Sequence, residues 1–294
     1  MTEKRDSQPR IAVMTAFPPE WAALVDSVET PHETRINGLT ILTGTLAGKP
    51  VVLLQSGISM VNAAMNTQLL IDRFAVTSIV FSGIAGGVDP ELSIGDVCVP
   101  QKWGQNFEVA YARQTADGFD PPTGLPGGTD LPGHGALFPR DVLVGNADDP
   151  VVERRWFKAD PDLVALAGRV GADVQLERCL SAEAGQEPHC LDHQPAVILG
   201  GNGVSGPAFV DNAAYRQYLA DVYEARVVDM ESAAVAQVAY ANQVPFVVFR
   251  SVSDLAGGDA GTNQMLTFMG LAASNSAHLV RAFVAAMPSP LSAA

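Results

Sequence analysis

Residues Arg226–Gly258, RVVDMESAAVAQVAYANQVPFVVFRSVSDLAGG, read as a strand, a buried helix and a second strand. Val227 and Val228 run into Asp229, Met230 and Glu231, and Val247–Phe249 run into Arg250 and then Asp254. Ser232–Asn242 between them is mostly Ala and Val, the composition of a helix covered by protein. In open α/β sheets, ligands sit beyond the carboxyl ends of the strands. This spacing therefore directs Glu231, Arg250 and Asp254 toward one pocket. Carboxylates at the rim of a covered sheet are costly without a partner or a task.

Working outward, the same alternation continues. Ile11–Ala16, Leu39–Thr45 and Val51–Gln55 read as strands, the last two joined by a turn at Gly48-Lys49-Pro50. Val61–Phe74 has helical spacing, and Ser78–Ser82 is a buried strand ending in a glycine loop, Gly83-Ile84-Ala85-Gly86-Gly87. Asp96–Pro100 and Ala196–Gly200 are extended. Helices are expected near Pro161–Val170, with Asp160 as its cap, near Asn212–Tyr223, capped by Asp211 or Asn212, and over Leu271–Ala286. Around residues 104–160 the periodicity fails, and Thr115–Gly135 is rich in Gly, Pro and Asp. That region reads as a long loop or insertion. The expected organisation is one α/β domain over residues 10–288, between an N-terminal tail of residues 1–9 and a C-terminal tail of residues 289–294.

The 294-residue chain carries a formal net charge of −14, which argues against a nucleic-acid groove and against an anionic membrane surface. It shows neither a secretory leader nor an apolar run long enough to span a bilayer. Cys98, Cys179 and Cys190 are too few and scattered for a disulfide framework, so a reducing cytoplasm is the expected location.

Several motifs compete for function. Gly201-Asn202-Gly203-Val204-Ser205-Gly206 matches G-x-G-x-x-G, but Pro207–Val210 separate it from the next helix. A glycine-lined loop admitting a small ligand fits it better than a dinucleotide site, which needs the helix to open on the glycines. Glu20, behind Phe17-Pro18-Pro19, and Glu231 each stand where a helix begins, and the macrodipole favours acids there without any catalytic role. His189, Cys190 and His193, with Cys179 upstream, are metal-ligand types without a recognised zinc spacing, and no metal or other cofactor is expected.

Met230-Glu231 followed by Arg250 and Ser253-Asp254, together with Ser82–Gly87, resembles the nucleoside phosphorylase superfamily, and within it the methylthioadenosine/S-adenosylhomocysteine nucleosidases. The similarity covers Arg10–Leu24, Val51–Pro100 and Gly200 to about Gly258. It implies a three-layer α/β/α sandwich with a mixed central sheet, and hydrolysis of the N-glycosidic bond of an adenine nucleoside. By the same resemblance, Glu20 activates the attacking water, Asp254 protonates the purine N7, and Arg250 lies near the water and the ribose. Glu231 holds the ribose hydroxyls and Met230 packs on the sugar. Phe209 stacks on the base, the Val210 backbone meets its edge, Ile58 lines the ribose or 5′ side, and Ala85 and Gly86 complete the binding residues. A homo-oligomer is implied, with a dimer favoured. Two positions depart from the pattern: Ile84 replaces a hydroxyl residue, and Pro207 replaces an Asp. The first speaks against phosphate as acceptor, because an anion needs donors and cations. An N-glycosidic bond breaks through an oxocarbenium-like state. One acid is then needed for the leaving base, a base for the water, and negative charge near the sugar.

Overall fold

The computed structural model describes residues 6–180 and 190–290. Its strands are β1 (Asp6–Thr15), β2 (Glu29–Ile36), β3 (Leu39–Leu46), β4 (Lys49–Gln55), β5 (Phe74–Gly87), β6 (Val97–Val99), β7 (Lys102–Gln105), β8 (Val109–Tyr111), β9 (Arg113–Thr115), β10 (Gly118–Asp120), β11 (Leu137–Pro139), β12 (Val142–Val144), β13 (Val152–Arg154), β14 (Trp156–Lys158), β15 (Val197–Leu199), β16 (Asn202–Ser205), β17 (Ala225–Asp229) and β18 (Phe246–Asp254). The helices are α1 (Pro18–Val25), α2 (Met60–Arg73), α3 (Pro161–Gly171), α4 (Ala213–Tyr223), α5 (Ser232–Ala241) and α6 (Met265–Ala286).

Strand alternation divides the core into two faces. In β1, Ala12 and Met14 pack with Val52, Leu54, Ile79 and Phe81 against Ala63 and Leu70 of α2 and the alanines of α5. Ile11 and Val13 face the other way, with Val51, Leu53, Val80 and Phe249, onto Leu24 of α1, Ala167 of α3 and Val280 and Phe283 of α6. The result is a three-layer α/β/α sandwich around a mixed sheet. A third cluster seats Tyr215, Leu219 and Tyr223 of α4 on Val204 and Val228. Among the described residues, no helix is long and apolar enough to cross a membrane.

The main sheet path runs β14-β7-β16-β17-β5-β1-β4-β3-β2, with β18, β6 and β15 branching off at β5. Strand β5 is the branch point. It pairs in parallel with β1 as far as Phe81 and with β18 from Ile79 to Gly86, and its last residues, Gly86 and Gly87, pair antiparallel with Val228 and Val227 of β17.

Several local expectations are corrected. The Gly83–Gly87 run is the end of β5 rather than a loop, because β18 pairs along it and β17 joins at Gly86 and Gly87. The G-x-G-x-x-G match is not a ligand loop either. Asn202–Ser205 forms β16, and a Cβ at Gly203 would lie 2.6 Å from the Trp103 ring, so that glycine answers to packing. Strand β1 already begins at Asp6, where Arg10 Nε meets the Asp6 carboxylate at 2.7 Å. The stretch around 104–160 folds into short hairpins, β8 with β11, β9 with β10 and β12 with β13, before β14 returns to pair with β7.

Cys179 and Cys190 form a disulfide, which overturns the reading of the cysteines as unbridged. The two segments run side by side, with Leu191 N donating to Arg178 O at 2.9 Å. That apposition leaves no trace in the cysteine count. Cys98 is a buried free thiol. Of the metal-ligand types, His193 hydrogen-bonds Ile94 O and the Asp192 carboxylate, and His189 lies outside the described residues.

Helix α3 starts as the sequence suggests: Asp160 accepts from Asp162 N and Leu163 N at 3.0 Å, and Pro161 stands first in the helix. Asn212 caps α4, accepting from Tyr215 N at 2.8 Å.

Candidate active site

The carboxyl ends of β1, β17 and β18 meet at a cavity of about 190 Å³. Glu20, Ile58, Ala85, Gly86, Phe209, Val210, Met230, Glu231 and Asp254 all line it. Arg250 lies behind the wall, with its side chain fully buried.

Glu20 belongs to the first turn of α1 but caps nothing there. Its carboxylate turns back to the sheet, where Oε2 accepts from Ala16 N at 2.6 Å and Oε1 from Ile84 N at 2.8 Å. Burial pushes its pKa up, against the opposing pull of Arg250 and these amides. A buried carboxylate of raised pKa is a stronger base than an exposed one, which suits the capture of a proton.

Glu231 sits at the N-cap position of α5, again without a capping bond. Its Oε1 accepts from Ser59 N at 2.8 Å. Ser59 holds φ +79°, a region that favours glycine and costs roughly 1–3 kcal/mol, so strain here presents an amide to the carboxylate. Burial first, and then the Asp229 charge, push Glu231 up to about 8.

Arg250 binds this side of the site together. Its Nε lies 2.6 Å from Asp229 Oδ2 and 3.0 Å from Ser232 Oγ, Nη1 lies 3.4 Å from Glu20 Oε1, and Nη2 lies 3.7 Å from Glu231 Oε2. The guanidinium carbon stacks 4.2 Å from the centroid of Phe81. One cation thus serves three carboxylates. A Cβ on Gly83 would overlap both the Arg250 guanidinium and the Glu20 carboxylate, so this glycine is what admits the pair.

Asp254 stands apart from that cluster. β18 carries an irregularity between Val252, opposite Ala85, and Asp254, opposite Gly86. The extra residue, Ser253, breaks the two-residue alternation that would have put Arg250 and Asp254 in phase. An arginine paired with Asp254 would oppose its protonation, so the chemistry calls for Arg250 to face Glu20 or the water; its ion pairs go to Glu20, and also to Asp229 and Glu231. Asp254 instead accepts from Ala256 N at 2.9 Å, Ser253 Oγ at 2.9 Å and Asn263 Nδ2 at 3.2 Å. Burial raises its pKa despite these donors. A raised pKa is the direction that a proton donor needs.

Sequence reasoning missed Asp229 as a site residue. It accepts from Ser205 Oγ, Ser232 Oγ and the amides of Glu231 and Ser232 as well as from Arg250. Its position at a strand end, two residues before Glu231, was the available signal. Met265 also lines the cavity, six residues upstream of where helical spacing becomes legible. The Ile84 side chain faces the cavity, while its amide serves Glu20. Among the described residues, no group of His, Cys, Asp and Glu is arranged to hold a metal ion.

Comparison with known proteins identifies the family of the chain. A sequence profile described as the phosphorylase superfamily matches residues 10–285. The chain is 31% identical over 258 residues to the 5′-methylthioadenosine/S-adenosylhomocysteine nucleosidase of Bacillus thuringiensis, covering 86% of this chain and 89% of that protein. It superposes on the S. pneumoniae enzyme of the same name, bound to a transition-state inhibitor, with a TM-score of 0.67 and 26% identity over 94% of this chain and 99% of that one. The Neisseria meningitidis enzyme, in complex with methylthio-immucillin-A, gives a TM-score of 0.68 and 26% identity over 96% and 100% of the two chains.

Proposed function

We propose, for a chain that belongs to the phosphorylase superfamily and to its 5′-methylthioadenosine/S-adenosylhomocysteine nucleosidase branch, the hydrolysis of an adenine nucleoside to free base and ribose moiety. The observation that carries the reading is the convergence of Glu20, Glu231 and Asp254, from three separate segments, on one cavity. Water attacks the anomeric carbon and gives a proton to Glu20. The bond from that carbon to the base breaks, and Asp254 transfers its proton to the base. Glu231, when ionised, accepts hydrogen bonds from the ribose hydroxyls and offsets the positive charge developing on the sugar. Arg250 keeps Glu20 and Glu231 in place from behind. Phe209, Val210 and Met230 supply the apolar surfaces for base and sugar.

Water rather than phosphate is the acceptor in this reading. The described residues lining the cavity include no Lys or Arg, and Arg250 is committed to three carboxylates. Ile84 adds no hydroxyl. An anion would find little to hold it.

Ile58 and Phe209, which line the cavity, and Val61 and Met65 of α2 are exposed apolar side chains. They support a homo-oligomer, with a dimer favoured, that covers this surface. Cytoplasmic location is part of the same proposal. The Cys179–Cys190 bridge is the feature that stands against it, and fractionation of expressing cells decides between them.

The experiment is chromatographic analysis of products from methylthioadenosine, S-adenosylhomocysteine, adenosine and inosine, each with and without phosphate. Free adenine released without phosphate is the expected result. Release only with phosphate would make the protein a phosphorylase, and binding without release would make it a nucleoside-binding protein.

A further inference from the structure

Asp254 is held by two kinds of partner. Its Oδ1 accepts from Ala256 N at 2.9 Å and from Asn263 Nδ2 at 3.2 Å. Amide N–H groups can only donate, so this oxygen stays an acceptor. Oδ2 meets Ser253 Oγ at 2.9 Å, a hydroxyl that can rotate and has Ala85 O at 3.3 Å as an alternative acceptor. The proton of a neutral Asp254 therefore belongs on Oδ2.

Asn263 is itself oriented. Its side-chain oxygen accepts from Met265 N at 2.9 Å, which turns Nδ2 toward the carboxylates. Nδ2 then lies 3.2 Å from both Asp254 Oδ1 and Asp211 Oδ1. One amide thus joins the end of β18, the loop that carries Phe209 and Val210, and the first residue of α6. The two loops also meet through Asn212 N, which donates to Ala256 O at 3.1 Å. A Cβ at Gly257 would overlap the Asn212 backbone.

We propose that Asn263 is a positioning residue for the acid step: it keeps Asp254 Oδ1 as the acceptor oxygen, so that the proton is delivered from Oδ2, and it stabilises the carboxylate left behind. The inference rests on the nucleosidase reading given above. Other charged groups near Asp254 are Asp259, whose carboxylate accepts from Leu255 N, Asp211 across Asn263, and Arg216 of α4, which bonds Gly87 O and lies beside Gly258, while Glu20 and Glu231 share its cavity. Asp259 and Asp211 oppose ionisation of Asp254, and Asn263 favours it.

The sign follows. Asp254 acts when protonated, so activity falls as pH rises through its pKa. Without the Asn263 donor it is a weaker acid, which slows proton transfer and moves the alkaline limb of the kcat profile to higher pH.

The test is base release from methylthioadenosine by the full-length chain and its N263A and N263D variants, across pH 5–10, with thermal melts alongside. N263D keeps an acceptor for Met265 N but cannot donate to Asp254, so it separates the start of α6 from the role proposed. The expected result is kcat lower by roughly tenfold in both, with the alkaline limb raised by about half a pH unit or more, furthest in N263D. A uniform loss of kcat with an unmoved limb in both variants would assign Asn263 a structural role and overturn the inference. So would an N263D profile that superimposes on that of the native chain. Absence of base release by the native chain from every nucleoside tried would overturn the nucleosidase reading, and the inference with it.

Discussion

Arg250 Nε and Asp229 Oδ2 lie 2.6 Å apart, with both side chains almost wholly inaccessible to solvent. A buried ion pair of this kind is costly to break, because the partner left behind remains desolvated. The D229N substitution keeps the shape and removes the charge. It should destabilise the protein by about 3 kcal/mol, measured by urea denaturation. Turnover should fall at least tenfold as Arg250 loses its anchor. Native stability in D229N would contradict this account of the cluster.

Gly83 gives a second test. Its missing side chain is the space in which Arg250 and Glu20 meet. Addition of one methyl group in G83A forces that pair apart, so hydrolysis should fall by roughly two orders of magnitude or more. The pairing of β5 with β18 through backbone hydrogen bonds should hold the fold together in this variant. Circular dichroism should therefore match the native chain while activity does not.

Asp254→Asn removes the proton donor and preserves the amide and hydroxyl contacts in outline. Turnover should drop by a factor of roughly 10²–10⁴ with nucleoside still bound, by calorimetry. An active D254N enzyme would take the residue out of the mechanism.

Glu231 makes stability depend on pH. Its pKa rises from the ordinary glutamate value of 4.5 to about 8 in the folded chain, so between those values the folded state holds more proton than the unfolded one. This contribution is fully present below 4.5 and is lost as pH rises through about 8. Buried Glu20 and Asp254 shift in the same direction. Thermal midpoints of the ligand-free protein should accordingly decline from the acid to the neutral side. E231Q should flatten that slope, and an unchanged slope would count against the assignment.

Much of this site could be read from the chain before any coordinates. Apolar runs ending in Asp229, Glu231, Arg250 and Asp254 locate strand ends, and strand ends are where an open α/β sheet binds ligands. The separation of Arg250 from Asp254 follows from what an acid catalyst needs, although the irregularity at Ser253 that enforces it has no sequence signature. Other features depend on long-range pairing. Strand β2, ETPHETRI, is an exposed edge strand of mixed polarity and shows no periodicity. The glycines of β5 look like a loop because local propensity disfavours them in strands, and only the pairing with β18 and β17 shows why they are there. The role of Asn263 depends on Asp211 and Asp254, which lie 52 and 9 residues away in the chain.

Strand β5 also bears on how such a chain can change over generations. Within five residues it sets Gly83 opposite Arg250, Gly86 opposite Asp254, and Gly86 again beside Val228, next to Asp229. A single-codon deletion there would slide the acid that serves the base and the cluster that serves the water out of step together. Natural variants of this protein should therefore differ freely in length within the hairpins between β7 and β14. Between Ser82 and Gly87 they should differ only by substitution.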